Sequence, residues 1–501
     1  MVALLLAFLL NYFFLLPIGF KAGFLFLYAC CLLAMVFVYC YMSDVEDIEI
    51  GKRLMVFNGI LVIWCVGILL LGGFLSSPVV DAASYRDCIS VEEHSQEILA
   101  ESIPDLEQIE KISLMDTASA EKLGDRQLGS LTDLVSQFCV GEYYTICIKG
   151  DVYKIAPLEY NGFFKWVNND SIPGYVLVNP ITNEAEYVEL EKSIRYSPSG
   201  YFGNDLDRKF YSEYKSTYWG DYSFQVDDEG NPYWVRTIME PRNLWGNKTP
   251  KGVAVMDAST GFITKYSFDS APEWVDLCIS GDMVESLYNR HGAYTNGFWN
   301  SMFSQVGVTQ TTDDFGYLTK DNDVYIYTGI TSVSSDESNL GVLLVNTRTC
   351  QFDYYPIPGA EEYSAMGAAE GIVQNFGYAS SFPSLVMVEE EPTYVMVLKD
   401  SNGLVKQYAM VNYKNYTIAV VADTLSDCTS KYIKSLAGEV EISASEGNLI
   451  VSKVEFVTLD GNTYCFIVDT DGNIYKAEFA PNQLLIEIGN EISKDGYSIQ
   501  K

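Results

Sequence analysis

The chain of 501 residues is longer than one typical domain, so several folding units are expected. Its 66 acidic and 32 basic residues give a net charge of −34, which repels nucleic-acid phosphate and argues against nucleic-acid binding. Residues 1–76 hold a net of −1 and the other −33 lies beyond them, which describes an apolar head on a solvated acidic body.

Three apolar stretches open the chain, at residues 2–20, 22–42 and 54–75. Each is near the ~20 residues a helix needs to cross a bilayer, and backbone in lipid must pair internally, so three transmembrane helices are expected in residues 1–76. A cleaved signal peptide is the rival for the first stretch, but it lacks a basic leading region and a small-residue cleavage site. Lys52 and Arg53 lie in the loop before the third stretch. The positive-inside rule sets that loop in the cytoplasm and everything after about Ser76 outside. The expected localisation is a multi-pass membrane protein with a large extracytoplasmic C-terminal region.

Seven cysteines lie beyond residue 76, with no C-x-x-C pair and no Cys/His spacing for zinc. Cys139 and Cys147 are near enough in sequence to bridge across a turn. Most of the others read as small buried apolar residues.

From residue 77 the chain reads as a linker followed by a recurring order: a helix, short strands, then a hairpin. The clearest hairpin is 252–266, GVAVMDASTGFITKY. Variants begin at Gly174 and Gly341, with a weaker one at Gln407. Equivalent turn positions are Asn179, Asp257, Asn346 and Asn412. Self-similarity at a long period argues for an array of like units. The expected division is 1–76 for the membrane region, 77–200 for linker and first unit, then 201–280, 281–358 and 359–430 for three more. Each unit reads as α+β, an antiparallel sheet with a helix over one face. Residues 431–501 read as about five strands with hairpin turns at Asp460-Gly461 and Asp471-Gly472, including strands near 439–444 and 485–488. An OB-like barrel is expected there. Lacking basic patches, it reads as a protein-binding or capping domain.

A helix, strands and a closing V-x-V-D-A-x-T-G hairpin resemble PepSY-type domains. Val255, Asp257, Ala258, Thr260 and Gly261 match the closing motif best. Asn183 and Cys350 replace the glycine in the first and third copies. Together with stretches such as PLEY at Pro157 and GNPYWV at Gly230, the chain resembles a group of membrane-anchored bacterial envelope proteins. The resemblance implies an envelope role, sometimes regulation of peptidases.

No catalytic constellation stands out. His94 and His291 have no nucleophile nearby in sequence, and a His-based metal site is not expected. Paired carboxylates suit a glycosidase, but 66 acids make some close pair inevitable. The Asp/Asn/Gly clusters at 227–231, 321–323, 400–403 and 469–473 offer hard oxygens of the kind calcium takes. They also fall at hairpin tips, where those residues serve as turn formers. Asp469, Asp471 and Asn473 fail as an EF-hand. Aromatics are plentiful, among them Trp166, Trp219, Trp234, Trp245, Trp274 and Trp299, and they suit half-buried sheet faces or glycan binding.

The sequence therefore reads as a membrane-anchored, non-enzymatic envelope scaffold or binding protein. No catalytic, cofactor or metal residues are assigned. Its expected partners are membrane lipid together with an envelope protein, peptide or wall polymer, and self-association is left open. The alternatives are a regulator or inhibitor of an envelope peptidase, and a wall-polymer-binding or hydrolytic ectodomain.

Overall fold

The hairpin turn that recurs in the sequence is one hydrogen-bonded device used four times. In the computed structural model, Asp257 Oδ1 accepts from the backbone N–H of Ser259 and Thr260 at 2.8 and 2.9 Å. Asn179, Asn346 and Asn412 accept in the same way from the second and third residues after them. A side-chain oxygen thus closes each turn, as Asx residues do. Four residues on, the backbone is left-handed at Gly261, Asn183 and Cys350 (φ +74°, +57° and +58°). Glycine adopts that conformation without strain, whereas other L-residues pay roughly 1–2 kcal/mol. At position 261 a Cβ would also lie 2.5 Å from the Tyr196 ring. Gly261→Ala is expected to destabilise the protein by about 1–2 kcal/mol or more, whereas Asn183→Gly, on an exposed turn, should stay within about 0.5 kcal/mol. Thermal melts of the two variants check the contrast.

The structure describes residues 11–15, 17, 19, 24–42, 48–105, 114–312, 314–333, 338–401, 403–436, 448–459, 462–470, 474–478 and 491–493. Contacts divide the chain into two units, Met1–Val421 and Ala422–Lys501.

The large unit is mostly antiparallel sheet. In the first sheet Asp151–Tyr160 lies between Phe138–Val140 and Ile172–Asn179, followed by Glu184–Ile194, with Tyr144–Ile148 also paired to it. The second is a four-strand meander, Tyr218–Val226, Pro232–Pro241, Lys248–Asp257 and Ile263–Ser267. The third is built on Asp323–Ser332, Gly341–Asn346 and Gln351–Tyr355, and the fourth on Glu391–Lys399 and Val405–Asn412. To the edge of the third sheet the chain adds Val91–Glu93 as a parallel strand, drawn from a segment far earlier in sequence.

This corrects the expected α+β array, in which each helix covers its own sheet. The helices between sheets are short, such as Leu206–Glu213 and Glu362–Ile372, and the main cores are shared between sheets. Ile155 and Val176 of the first sheet pack in one cluster with Phe224, Trp234 and Met256 of the second. Tyr327 and Leu344 of the third pack with Leu385, Tyr394 and Met396 of the fourth. Alternating strands leave both faces apolar enough to be buried by a neighbouring sheet, which the repeat pattern alone does not reveal.

The three-span expectation is also corrected. Among the described residues one helix is long and apolar enough to cross a membrane, Met55–Leu75, within the longer helix Ile48–Leu75. It leaves Phe57, Ile63, Trp64 and Leu70 exposed, an apolar surface that lipid would cover. Most of residues 2–20 lies outside the described residues. The part that is described meets polar side chains of helix Leu206–Glu213: Asn11 and Tyr211 hydrogen-bond side chain to side chain, and the Arg208 guanidinium donates to the Tyr12 carbonyl at 2.7 Å. An arginine beside the middle of that stretch does not fit a bilayer core.

In the small unit, helix Leu425–Leu436 precedes a four-stranded antiparallel sheet ordered Ile474–Glu478, Asn462–Asp469, Asn448–Leu459, Glu491–Ser493. Among the described residues its two outer strands do not pair with each other, so the sheet is open and the expected OB-like barrel is not formed. The strands expected near 439–444 and 485–488 lie outside the described residues.

Candidate active site

A segment at the meeting of three sheets builds the site. Gln225, wholly buried on the second sheet, accepts from the Asp276 and Leu277 N–H groups and donates to the Leu277 carbonyl. Thr237 donates to the Cys278 carbonyl at 2.6 Å, and Thr347 of the third sheet donates to the Asp276 carbonyl at 2.7 Å. Asp276 Oδ2 in turn accepts from the Cys147 N–H of the first sheet at 2.6 Å. Burial pushes the Asp276 carboxyl well above its usual range, and its second oxygen has no hydrogen-bond partner. Satisfied backbone groups hold residues 276–278 rigidly, as a site floor requires.

Over that floor lies a cleft of about 360 Å³, lined by Glu142, Asp221 and Asp282 and by the rings of Tyr144, Tyr222, Phe315 and Tyr317. The three carboxylates come from distant parts of the chain. Glu142 sits in the loop before strand Tyr144–Ile148, and Tyr144 Oη donates to its Oε2 at 3.0 Å. Asp221 sits where the pairing of Tyr218–Val226 with Pro232–Pro241 shifts register between Trp219 and Tyr222. Such a bulge re-aims a side chain off the regular pleat, and Ser280 Oγ donates to Asp221 Oδ2 at 2.5 Å. Asp282 lies in the first turn of helix Gly281–Ala293, capped by Ser280. The Phe315 ring rests on Gly281, where a Cβ would stand 2.1 Å from it, so any side chain at 281 displaces that ring.

A fourth carboxylate stands behind Glu142. Glu159 lies beside Gly141, whose Cβ would be 3.0 Å from Glu159 Oε1. Burial raises the Glu159 carboxyl above its usual range, and the charge of Glu142 raises it further. Burial likewise pushes the Tyr222 hydroxyl up to about 12, and Lys154, buried beneath Tyr317, down to about 8. Carboxylates from separate parts of the chain and several rings are the parts needed to bind a sugar face and cleave a glycosidic bond.

The residues weighed from sequence lie elsewhere. His291 Nδ1 meets the Arg86 carbonyl at 2.6 Å, and His94 pairs with Asp353 at 2.8 Å. Asp227 closes its own turn through the N–H groups of Glu229 and Asn231, Asp323 is held by Arg348, and Asp400 accepts from the Leu404 N–H. Most of 469–473 lies outside the described residues. Cys139 and Cys147 are free thiols, not a bridge. A signal for the cleft was present in the sequence: Gly141-Glu142-Tyr143, Gly220-Asp221-Tyr222 and Ser280-Gly281-Asp282 set each acid beside a glycine, two of them before a tyrosine.

No family model matches the sequence, and no curated protein does. The resemblance to PepSY-type domains therefore rests on its hairpin motif alone. Solved structures similar to the chain include the catalytic domain of the Coprinopsis cinerea GH62 α-L-arabinofuranosidase (10% identity, 69% of this chain and 85% of that one, TM-score 0.17). A GH43_1 enzyme from Xanthomonas citri complexed with xylotriose is 11% identical over 68% and 90%, TM-score 0.18. B. megaterium levansucrase is 9% identical over 79% and 94%, TM-score 0.19. These scores are too low to argue from. The expected non-enzymatic scaffold is set aside on the carboxylate cleft itself, not on these neighbours.

Proposed function

We propose that the large unit binds a neutral polysaccharide in this cleft and hydrolyses its glycosidic bonds. The observation that carries the reading is the convergence of Glu142, Asp221 and Asp282 from separate parts of the chain onto one aromatic-lined cleft. The rings offer flat apolar faces to sugar rings, and the carboxylates accept hydroxyl hydrogen bonds. In this reading Glu142 gives a proton to the leaving glycosidic oxygen as the C–O bond breaks, and Glu159 behind it resupplies that proton. Asp221, on the same cleft, draws a proton from the attacking water, whose hydroxide goes to the anomeric carbon. Three carboxylates at the cleft and a chain charge of −34 repel acidic polymers, so the substrate class is uncharged.

The full chain in detergent, incubated with panels of neutral and acidic polysaccharides, is expected to release reducing ends from a neutral one. Retention of a polymer without cleavage supports the cleft as a binding site and overturns hydrolysis. Neither retention nor cleavage overturns both.

Helix Ile48–Leu75 anchors the unit in a membrane on this reading. The segment after it, Pro78–Arg86, packs on helix Gly281–Ala293, where the Tyr85 and Tyr294 rings meet at 5.6 Å. Directly beyond that helix stands an apolar ridge, with Trp299 64% and Phe303 77% exposed beside Met302 and Val306. This ridge dips into the bilayer surface next to the anchor, as interfacial aromatics do. Quenching of tryptophan fluorescence by brominated lipid in the reconstituted protein is expected to fall in Trp299→Phe. Unchanged quenching sinks the ridge contact.

A further inference from the structure

The parallel strand Val91–Glu93 pairs with Gln351–Tyr355 over three residues, and its register sets Glu92 opposite Asp353. Like charges directly opposite one another on adjacent strands repel. A three-residue edge strand has little pairing energy with which to bear that repulsion, so the junction calls for a cation. His94, two residues on and on the same side, supplies a nitrogen: its Nε2 lies 2.8 Å from Asp353 Oδ1. One donor atom from each of Glu92, His94 and Asp353 falls within 4.8 Å of the others.

The geometry points to a divalent transition-metal site at Glu92, His94 and Asp353 that clamps the membrane-proximal segment to the third sheet. An imidazole nitrogen with two carboxylate oxygens suits Zn²⁺ or Mn²⁺, whereas Ca²⁺ and Mg²⁺ favour oxygen-only sets. The surroundings fit a ligand set. The Gln351 side-chain amide donates to Asp353 Oδ1 at 3.1 Å, and the His94 ring stacks on Tyr355 at 5.3 Å, which fixes its plane. Orienting contacts of this kind around first ligands raise metal affinity. Glu92 is exposed and makes no ion pair among the described residues, so its carboxylate is available to the metal. The His94 N–H donates to the Tyr354 carbonyl at 2.9 Å, so closing the site also fixes the last hydrogen bond of the strand. The clamp is separate from the cleft and does not depend on its chemistry.

The test is calorimetric titration of the full chain in detergent with Zn²⁺, in excess Mg²⁺ to occupy the many surface acids. One saturable site per chain is expected. Glu92→Gln and His94→Gln should each weaken it by about tenfold or more, since changes in the outer shell alone cost about 10–100-fold. Zn²⁺ should also slow hydrogen exchange at the His94 amide. Glu92→Gln removes the like-charge contact, so its melting temperature without metal should equal or exceed that of the parent while the rise with Zn²⁺ disappears. That combination separates a lost ligand from a damaged fold. Absence of a saturable site, or a site unchanged in both variants, overturns the clamp and leaves a His94–Asp353 pair alone.

Discussion

Glu142→Gln should cut glycan cleavage by about 10²–10⁴-fold, the usual contribution of a positioned acid or base, while polymer binding changes little. The amide keeps the shape of the side chain and an oxygen for the Tyr144 hydroxyl, which now donates at 3.0 Å, but it removes the proton-giving group of the cleft and the charge that helps raise Glu159. The pH profile is the sharper readout. A proton relay works only while its supplier is protonated, so activity should fall as pH rises through the titration of Glu159. Glu159 is held up first by burial and then by the Glu142 charge. Residual activity of Glu142→Gln should therefore lose its alkaline limb at a lower pH than the parent, since the Glu142 charge no longer raises Glu159. Asp221→Asn should reduce the rate to a similar degree yet leave that limb where it is. Identical profiles in both variants would remove the carboxyl pair from the reaction.

Trp234→Ala should cost about 3–5 kcal/mol, the range for removing a large buried aromatic. The side chain is 1% exposed, packs against the Tyr222 and Phe224 rings at 5.5 and 5.2 Å, and donates from Nε1 to the Tyr196 carbonyl at 2.8 Å. Truncation opens a cavity and leaves that carbonyl without its donor. Tyr222 lines the cleft, so the same change frees a substrate-facing ring, and polymer affinity should weaken along with stability. Thermal unfolding and polymer retention measured on one preparation check both halves. Trp299→Ala, on the exposed ridge, should leave unfolding within about 0.5 kcal/mol of the parent.

Local chemistry was legible in the sequence, and long-range assembly was not. Asn179, Asp257, Asn346 and Asn412 could be aligned by eye because a turn closed by its own side chain needs nothing beyond the next few residues. The shared cores could not be read, because Ile155 and Trp234 meet only when two sheets stack. The cleft was hidden for the same reason: Glu142, Asp221 and Asp282 look like three of many surface acids until Gln225, Thr237 and Thr347 draw residues 276–278 between the sheets. Hydropathy overstated the membrane part. Apolar length alone does not show that Arg208 and Tyr211 stand beside residues 11 and 12. Strand count likewise could not tell a closed barrel from the open sheet of the small unit.

The third and fourth sheets are completed by a segment made long before them. Val91–Glu93 waits for Gln351–Tyr355, and the Pro104 carbonyl waits for the Met387 N–H, with His94 and Asp353 259 residues apart. At roughly 5–20 residues per second of synthesis, that interval is on the order of 10–50 s. Throughout it the stretch after helix Ile48–Leu75 stays unpaired, with Leu99 and Ile103 bare, although both are buried in the finished unit. A nascent chain stalled before residue 350 would therefore display a sticky, protease-accessible collar just after helix Ile48–Leu75. Maturation of this protein should depend on a holding chaperone or on rapid completion of the chain, and shortening the chain from its far end should harm the region just after helix Ile48–Leu75 first.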